Sequence, residues 1–544
     1  DGGLIVGSDA AHAAATLGGS FDVQGGGTLG GHGTLGSGSG STVTIASGST
    51  LAPGNSIGTI NIDGNLAFAA GSIYEVEVDA TGNSDKTIAS GAASLNGGTA
   101  KVLAGSGSYA PQTRYTILTA NGGRTGTFNG ATSNLAFLTP LLGYDANNVY
   151  LTMQRNDQSF AGIGDTPNQR AAGAGAESLG FGSPVYVAVA NLSADQARTA
   201  FDALSGEVHA SAKGALIEDS QLIRDAINKR IRATFAGVGT DQMPVLAYGK
   251  TDSGNGATAA IDNALAPANA EHFAAWGSVF GSWGSADSDG NAAELDRSTG
   301  GFVTGLDGLV SENVRLGIMG GYSHSSFDAD GRASSGSSDN YHLGLYGGAQ
   351  MGALGFRSGL AYTWHPVSTS RSVAFPGFAD SLSADYDAGT FQAFGELGYR
   401  LDTPSASFEP FANLAYVNLH TDGFTEKGGA AALSSQSSTT DTTFTTLGIR
   451  ASTQFNLGNI KTTARGMIGW RHAFGDTVPT STQAFAGSDA FTVAGVPVAR
   501  DAAVLEAGLD FAISPAATLG VSYNGQFGSG SASHGGRIAL DVKF

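Results

Sequence analysis

The chain has no cysteine among its 544 residues, which excludes a disulfide framework and any thiolate metal site. Basic residues are scarce: 27 Lys and Arg stand against 46 Asp and Glu, for a net charge of −19. Nucleic-acid binding rests on clustered Lys and Arg that release phosphate counterions, so that class is excluded. No stretch reaches the roughly 18 uninterrupted apolar residues of a membrane-spanning helix. Strands that cross a bilayer alternate their side chains and average to neutral hydropathy, and the mean hydropathy of −0.01 leaves that route open. Asp1 is followed by neither a basic stretch nor an apolar one, so no signal peptide is expected within this numbering. Charged residues are only 13 % of the chain, yet 28 Phe and 15 Tyr are present, a balance unlike that of disordered chains. What is abundant is glycine, 83 residues. An ordered, glycine-rich β architecture of at least two structural units fits this length and composition.

Residues 1–155 consist of short β-like runs, such as Thr42-Val43-Thr44-Ile45 and Thr59-Ile60-Asn61-Ile62, punctuated by Gly and Asn. Small residues and Gly turns at close spacing predict coils of a parallel β-solenoid, with a β-sandwich as the alternative. Residues 156–270 carry the first helical periodicity. Leu192-Ser193-Ala194-Asp195-Gln196 offers a cap followed by helix formers, and Leu216, Ile223, Ile227 and Ile231 recur at three-to-four spacing. Between them lie Glu218, Asp219, Arg224, Asp225, Lys229, Arg230 and Arg232. A helix over about 207–237 is therefore apolar on one narrow stripe and charged elsewhere. It fits a surface helix or a helix seated in a polar channel.

From 271 to 544 the period is two. Leu316, Ile318 and Tyr322 share one parity and Arg315 the other; Phe356, Leu360, Tyr362 and Trp364 oppose Arg357; Leu397, Tyr399 and Leu401 oppose Glu396 and Arg400; Leu505, Leu509 and Phe511 oppose Glu506 and Asp510. About twelve such segments begin near residues 272, 300, 312, 340, 354, 389, 407, 443, 459, 502, 516 and 534, each long enough to cross a bilayer as a tilted strand. The connections sort by side. Tight turns fall around Ser311-Glu312, Gly352-Ala353, Thr403-Pro404, Leu457-Gly458 and Ser514-Pro515, while long polar loops are expected at 285–297, 327–339, 366–388, 421–441 and 475–500. Short turns on one side and long loops on the other are the mark of outer-membrane barrels. Arg315, Arg357, Glu396, Arg400, Glu506, Asp510, Arg537 and Asp541 all lie on the polar parity, where a wet lumen satisfies them. A soluble barrel needs the reverse arrangement. Tyr322, Tyr399 and Tyr523 are candidate interfacial aromatics.

Several segments resemble the C-terminal region of autotransporters. Trp470-Arg471-His472-Ala473-Phe474-Gly475-Asp476, Pro410-Phe411-Ala412-Asn413-Leu414-Ala415-Tyr416 and Leu447-Gly448-Ile449-Arg450 are similar to recurring barrel segments of that family. Leu204-Ser205-Gly206-Glu207-Val208-His209 and Thr166-Pro167-Asn168-Gln169 resemble the helical region ahead of the barrel, and Leu51-Ala52-Pro53-Gly54-Asn55-Ser56-Ile57-Gly58-Thr59 the passenger end called the autochaperone. The resemblance implies a mostly β chain: a twelve-stranded antiparallel transmembrane β-barrel with a central α-helix, preceded by a right-handed parallel β-helix. The implied function is that of a translocator that inserts in the Gram-negative outer membrane and displays its own N-terminal passenger outside. An adhesin that binds a host or bacterial surface ligand is the alternative. The pore-helix residues Glu218, Arg224, Asp225, Lys229 and Arg230 would then meet lumenal partners, and Phe544 would end the signal read by the barrel-assembly machinery. Outer-membrane lipid, that machinery and periplasmic chaperones are the implied partners of a monomer. Some relatives cut themselves at an Asn-Asn pair in the pore helix, but here that stretch reads Arg224-Asp225-Ala226-Ile227-Asn228-Lys229-Arg230. A chain that threads outward unfolded also gains from having no cysteine.

Other motifs fall away. Gly249-Lys250-Thr251 imitates the end of a phosphate loop, but Pro244 stands where its first Gly belongs. Asp287-Ser288-Asp289-Gly290 and Asp328-Ala329-Asp330-Gly331 lack the distal Glu of a calcium loop. His472 beside Trp470 reads as interfacial, and no nucleophile elbow is present. No cofactor, no metal and no enzymatic activity are expected; an exported enzyme would have its catalytic part upstream of Asp1.

Overall fold

A computed structural model describes residues 2–107, 109, 113–235, 238, 273–458, 460–514 and 517–542. The N-terminal region winds as a parallel β-solenoid with three strands per coil. Each strand pairs with its counterpart one coil on: Thr28 with Thr50, Val43 with Leu66, Thr87 with Ile60. Alternation buries one face of the strands in the central coils, so Leu51, Ile60, Leu66, Phe68, Val76 and Val102 fill a dry interior. Phe68 packs edge-on against Phe128 with centroids 5.1 Å apart. Gly31 adopts φ 115°, where a Cβ would overlap the Val6 backbone, so no other residue fits that turn. Asp85 ties coils together: its two carboxylate oxygens accept the backbone N–H groups of Gly58 and Glu77, both at 2.8 Å. The solenoid ends in an antiparallel hairpin, Leu138–Tyr144 and Asn148–Arg155, laid along the strand Arg114–Ala120. This covers the sheet edge that the last coil leaves open.

Four helices follow: α1 (Pro167–Ser178), α2 (Pro184–Ala190), α3 (Ala194–Leu204) and α4 (Val208–Thr234). Thr166 with Gln169 and Ser193 with Gln196 form capping boxes that start α1 and α3. Gly206 at φ 62° turns the chain from α3 into α4.

Twelve antiparallel strands then close a barrel: β1 (Phe273–Ala286), β2 (Leu295–Ser311), β3 (Val314–Ala329), β4 (Ser334–Met351), β5 (Leu354–Phe375), β6 (Phe378–Tyr399), β7 (Ser407–Thr421), β8 (Ser438–Leu457), β9 (Ile460–Gly475), β10 (Asp501–Ser514), β11 (Ala517–Gly528) and β12 (Ser531–Val542). Closure comes from β1 and β12, paired from Gly281↔Gly536 to Ala286↔Ser531. The parity holds as expected: Leu306, Leu345 and Ile468 are each 58 % exposed on the outer wall, while Ser325, Asn340 and Gln392 are buried inside. On the loop side of the outer wall, aromatic groups donate to carboxylates: Tyr322 Oη to Asp339 and Tyr416 Oη to Asp441, both at 2.6 Å, and Trp470 Nε1 to Asp501 at 2.9 Å. His472 Nδ1 lies 2.7 Å from the same Asp501 carboxylate.

Two expected loops are strands instead. Residues 366–388 are the far half of the β5–β6 hairpin, paired without interruption to Phe375↔Phe378, and 327–339 is mostly β3 and β4. Above the lipid both faces of a strand meet water, so Ser, Thr and Asp replace the greasy parity while the hydrogen-bond ladder continues. A four-stranded sheet on the same side, Phe424–Thr425, Leu433–Ser435, Thr480–Phe485 and Phe491–Ala494, occupies the two longest connections. Phe544 and the Asp541 side chain lie outside the described residues.

Candidate functional site: the occupied pore

Helix α4 runs inside the barrel, leaning on the wall from β2 through β7. Its sequence explains the seat. Ile223, Ile227 and Ile231 bury against the wall side chains Met319, Ala361 and Phe394, while much of the remaining circumference is polar. Polar groups from the connections and the wall strands answer that circumference at three levels.

At the loop end, Glu207 just ahead of α4 accepts from the Ala293 N–H at 2.8 Å and Arg332 Nε at 3.0 Å. His209 Nε2 lies 2.8 Å from Glu426, which Arg371 grips with Nε at 3.0 Å and Nη2 at 2.6 Å. Lys213 Nζ donates to Ser438 Oγ at 2.6 Å and the Thr480 carbonyl at 2.7 Å. At mid-height, Glu218 accepts from Arg471 Nη2 at 2.6 Å and Gln526 Nε2 at 3.1 Å, and Asp219 from the hydroxyls of Thr299 and Ser325, both at 2.7 Å. Arg224 donates to Gln392 Oε1 at 3.0 Å.

At the far end three helix cations meet wall carboxylates. Lys229 Nζ lies 3.2 Å from Glu506, Arg230 makes a bidentate pair with Asp307 at 2.7 and 2.9 Å, and Arg232 lies 3.7 Å from Glu396. Cations in the last turns also complement the helix dipole. Behind them the wall balances itself. Arg357 and Arg450 each bridge Glu396 and Glu409, Arg465 reaches Glu506 and Asp510, and Arg315 reaches Asp307. Charges removed from bulk water persist only with such partners. Along β10 to β12 and β1 the helix leaves a crevice with room for about 120 Å³ of water, lined by Asp225, Lys229, Ser278, Gly525 and Gly535 among others.

The structure gathers Glu218, Arg224, Asp225, Lys229, Arg230, Arg315, Arg357, Glu396, Glu506 and Asp510 around one lumen. Within it Asp225 turns to the crevice and accepts a long bond of 3.4 Å from Gln221. Arg400 does not join them: it sits past the end of β6 and pairs with Asp402 at 2.9 Å, its side chain 35 % exposed. Parity alone cannot place a residue at a strand terminus. Sequence reasoning missed Asp307, Glu409, Arg450, Arg465 and Arg471, although each lies on the inward parity of its strand. Asp307 hides in Thr304-Gly305-Leu306-Asp307-Gly308, which reads as a turn. No helix among the described residues is long and apolar enough to cross a membrane.

Residues 275–524 match the family described as Autotransporter beta-domain. Two curated relatives from Serratia marcescens, both named "Extracellular serine protease", are 35 % and 32 % identical over 96 % and 90 % of this chain. The chain spans about half their length, 52 % and 49 %. Those names overturn the expectation that no enzymatic activity attaches to this protein. The signal was missed because that expectation rested on nucleophile motifs, and the matched region carries the export apparatus. Among solved structures, the translocator domain of NalP from Neisseria meningitidis aligns with 60 % of this chain and 98 % of its own, at 15 % identity and a TM-score of 0.43. The transport unit of AIDA-I from Escherichia coli aligns with 50 % and 90 %, at 19 % identity and a TM-score of 0.36. With a family match over residues 275–524 and a charged helix seated in the lumen, the barrel of this chain is an autotransporter β-domain of the Gram-negative outer membrane.

Proposed function

We propose that the barrel carries the exported portion of its own chain across the outer membrane and then holds it at the surface, with α4 as the tether that fills the pore. The observation that supports this most directly is the helix itself. Its 27 residues join the solenoid side to the opposite end of the lumen, and its charges other than Asp225 meet partners on the barrel. Lys229, Arg230 and Arg232 act as the inner anchor and Glu218 as the mid-height one. Assembly proceeds through the barrel-assembly machinery and periplasmic chaperones, with the last strand and Phe544 as the recognised end, and the finished protein is monomeric. Protease added to intact cells is expected to destroy an epitope placed within residues 1–155 while the barrel survives. An epitope that stays protected on assembled protein would overturn the reading.

A second reading concerns the passenger. We infer serine-protease activity for the exported protein, supported by the printed names of the two relatives. A fluorophosphonate probe on expressing cells or their medium is expected to label a product of this gene at a serine. No labelled product from active, exporting cells would remove the inference.

A further inference from the structure

The solenoid and the helical cap are joined by one exposed stretch, residues 157–159, with buried Phe160 immediately after it. Yet the contacts between the two bodies do not run through that stretch. Phe137, just ahead of the terminal hairpin of the solenoid, is fully buried in the core of the cap, its ring 4.5 Å from that of Phe160. The same core holds Val189, Phe201 and Leu204 of the helices, together with Phe375, Phe485 and Phe491 from the barrel strands and loops. Arg155 reaches across as well: Nη2 donates to Glu177 at 2.9 Å, Nε to Tyr186 Oη at 3.3 Å, and its guanidinium lies 5.2 Å from the Phe160 ring centre. The Ala136 N–H donates to the Leu192 carbonyl at 2.9 Å, and the Tyr109 N–H to Asn191 Oδ1 at 3.1 Å.

A buried aromatic anchor beside a fully partnered arginine is the composition of an interface hot spot. A covalent link through an exposed polar stretch adds nothing to it except local concentration. We propose that α1–α3 and the barrel loops form a socket for the solenoid base, so that residues 2–156 remain docked as a separate chain after the connecting stretch is cut. The occupant is this chain's own passenger stem, and the socket needs no covalent continuity. A passenger then leaves the cell only when it is cut on the solenoid side of Phe137 or when the socket is broken.

The test inserts a site-specific protease sequence between Asp157 and Gln158, where exposed backbone tolerates insertion. After cleavage of the purified, detergent-solubilised full chain, the stem is expected to co-elute with the barrel in size exclusion. Phe137→Ala is expected to speed its dissociation about thirtyfold or more. Glu177→Ala, on the cap side and outside the solenoid core, is expected to speed it in the same direction. Immediate separation of the unaltered pair overturns the socket, as does equal retention in both variants. The same insertion on intact cells separates this from the display reading: a site that external protease cannot reach sinks display, while the result in detergent still decides the socket.

Discussion

The solenoid and the barrel are written in the same alternating pattern and turned opposite ways. In the solenoid Val76 and Phe68 face a dry interior while Glu75, Glu77 and Lys101 face water. In the barrel Leu345 and Ile468 face outward, and Arg357, Glu396 and Arg450 face the lumen. A period of two fixes which residues share a face. What lies outside that face decides whether it points in or out, and for the barrel it is lipid. Glycine serves both, but by different means: at Gly31 it provides a positive φ for a coil corner, and at Gly348 it leaves space for Ile231 of the pore helix.

Breaking the contrast costs most where a charge enters the dry interior. Val76→Arg places an unpaired cation in the solenoid core and is expected to cost about 5 kcal/mol or more, seen as loss of the stem's melting transition with the barrel intact. In the lumen the same kind of charge is tolerated because it is paired, so the damaging change is removal of a partner. Asp307→Ala strands Arg230 and Arg315 and is expected to destabilise the helix-filled barrel by about 3–5 kcal/mol. Denaturant unfolding in lipid vesicles measures it, and Arg230→Met in the same background should recover part of the loss. On the outer wall, Leu345→Arg is expected to cost about 2–4 kcal/mol in the same assay, according to its depth. An equal response to Leu345→Arg and Leu345→Ala would mean that the outer wall does not face hydrocarbon.

The smallest effect sharpens the solenoid side. Burial pushes the Asp85 carboxyl up to about 7 from 3.8, against the two backbone N–H groups that favour its charged form. Unfolding releases that proton wherever the pH exceeds the ordinary value. The stem's stability should therefore fall as pH climbs between 3.8 and about 7, and level off above it. Melting curves of the stem at pH 5 and pH 8 check the sign, and Asp85→Asn should flatten the difference.

Much of this architecture was legible in the residues. The parity of the barrel strands, the sorting of short turns to one side, the Ser193 cap and a central helix all follow from local chemistry that the structure repeats, the helix spanning Val208–Thr234. Strand ends above the lipid were not legible, because Ser335, Ser368 and Asp385 carry no apolar face to mark them. The small sheet and the cap were hidden for another reason. Phe375, Leu433 and Phe485 lie far apart in sequence within polar surroundings, and only α1–α3 give them a common core. The lumen was half legible: charge on the inward parity identified Arg357 and Glu396, but which carboxylate meets which arginine depends on strand register.

The wall network has one more consequence. Because Arg357, Glu396, Glu409 and Arg450 neutralise one another across neighbouring strands, that stretch of the wall has its ions in balance whether or not the helix is present. An extended polypeptide passing that stretch meets carboxylates already held by wall arginines, and the three cations of α4 add their own pairs there to Asp307, Glu396 and Glu506.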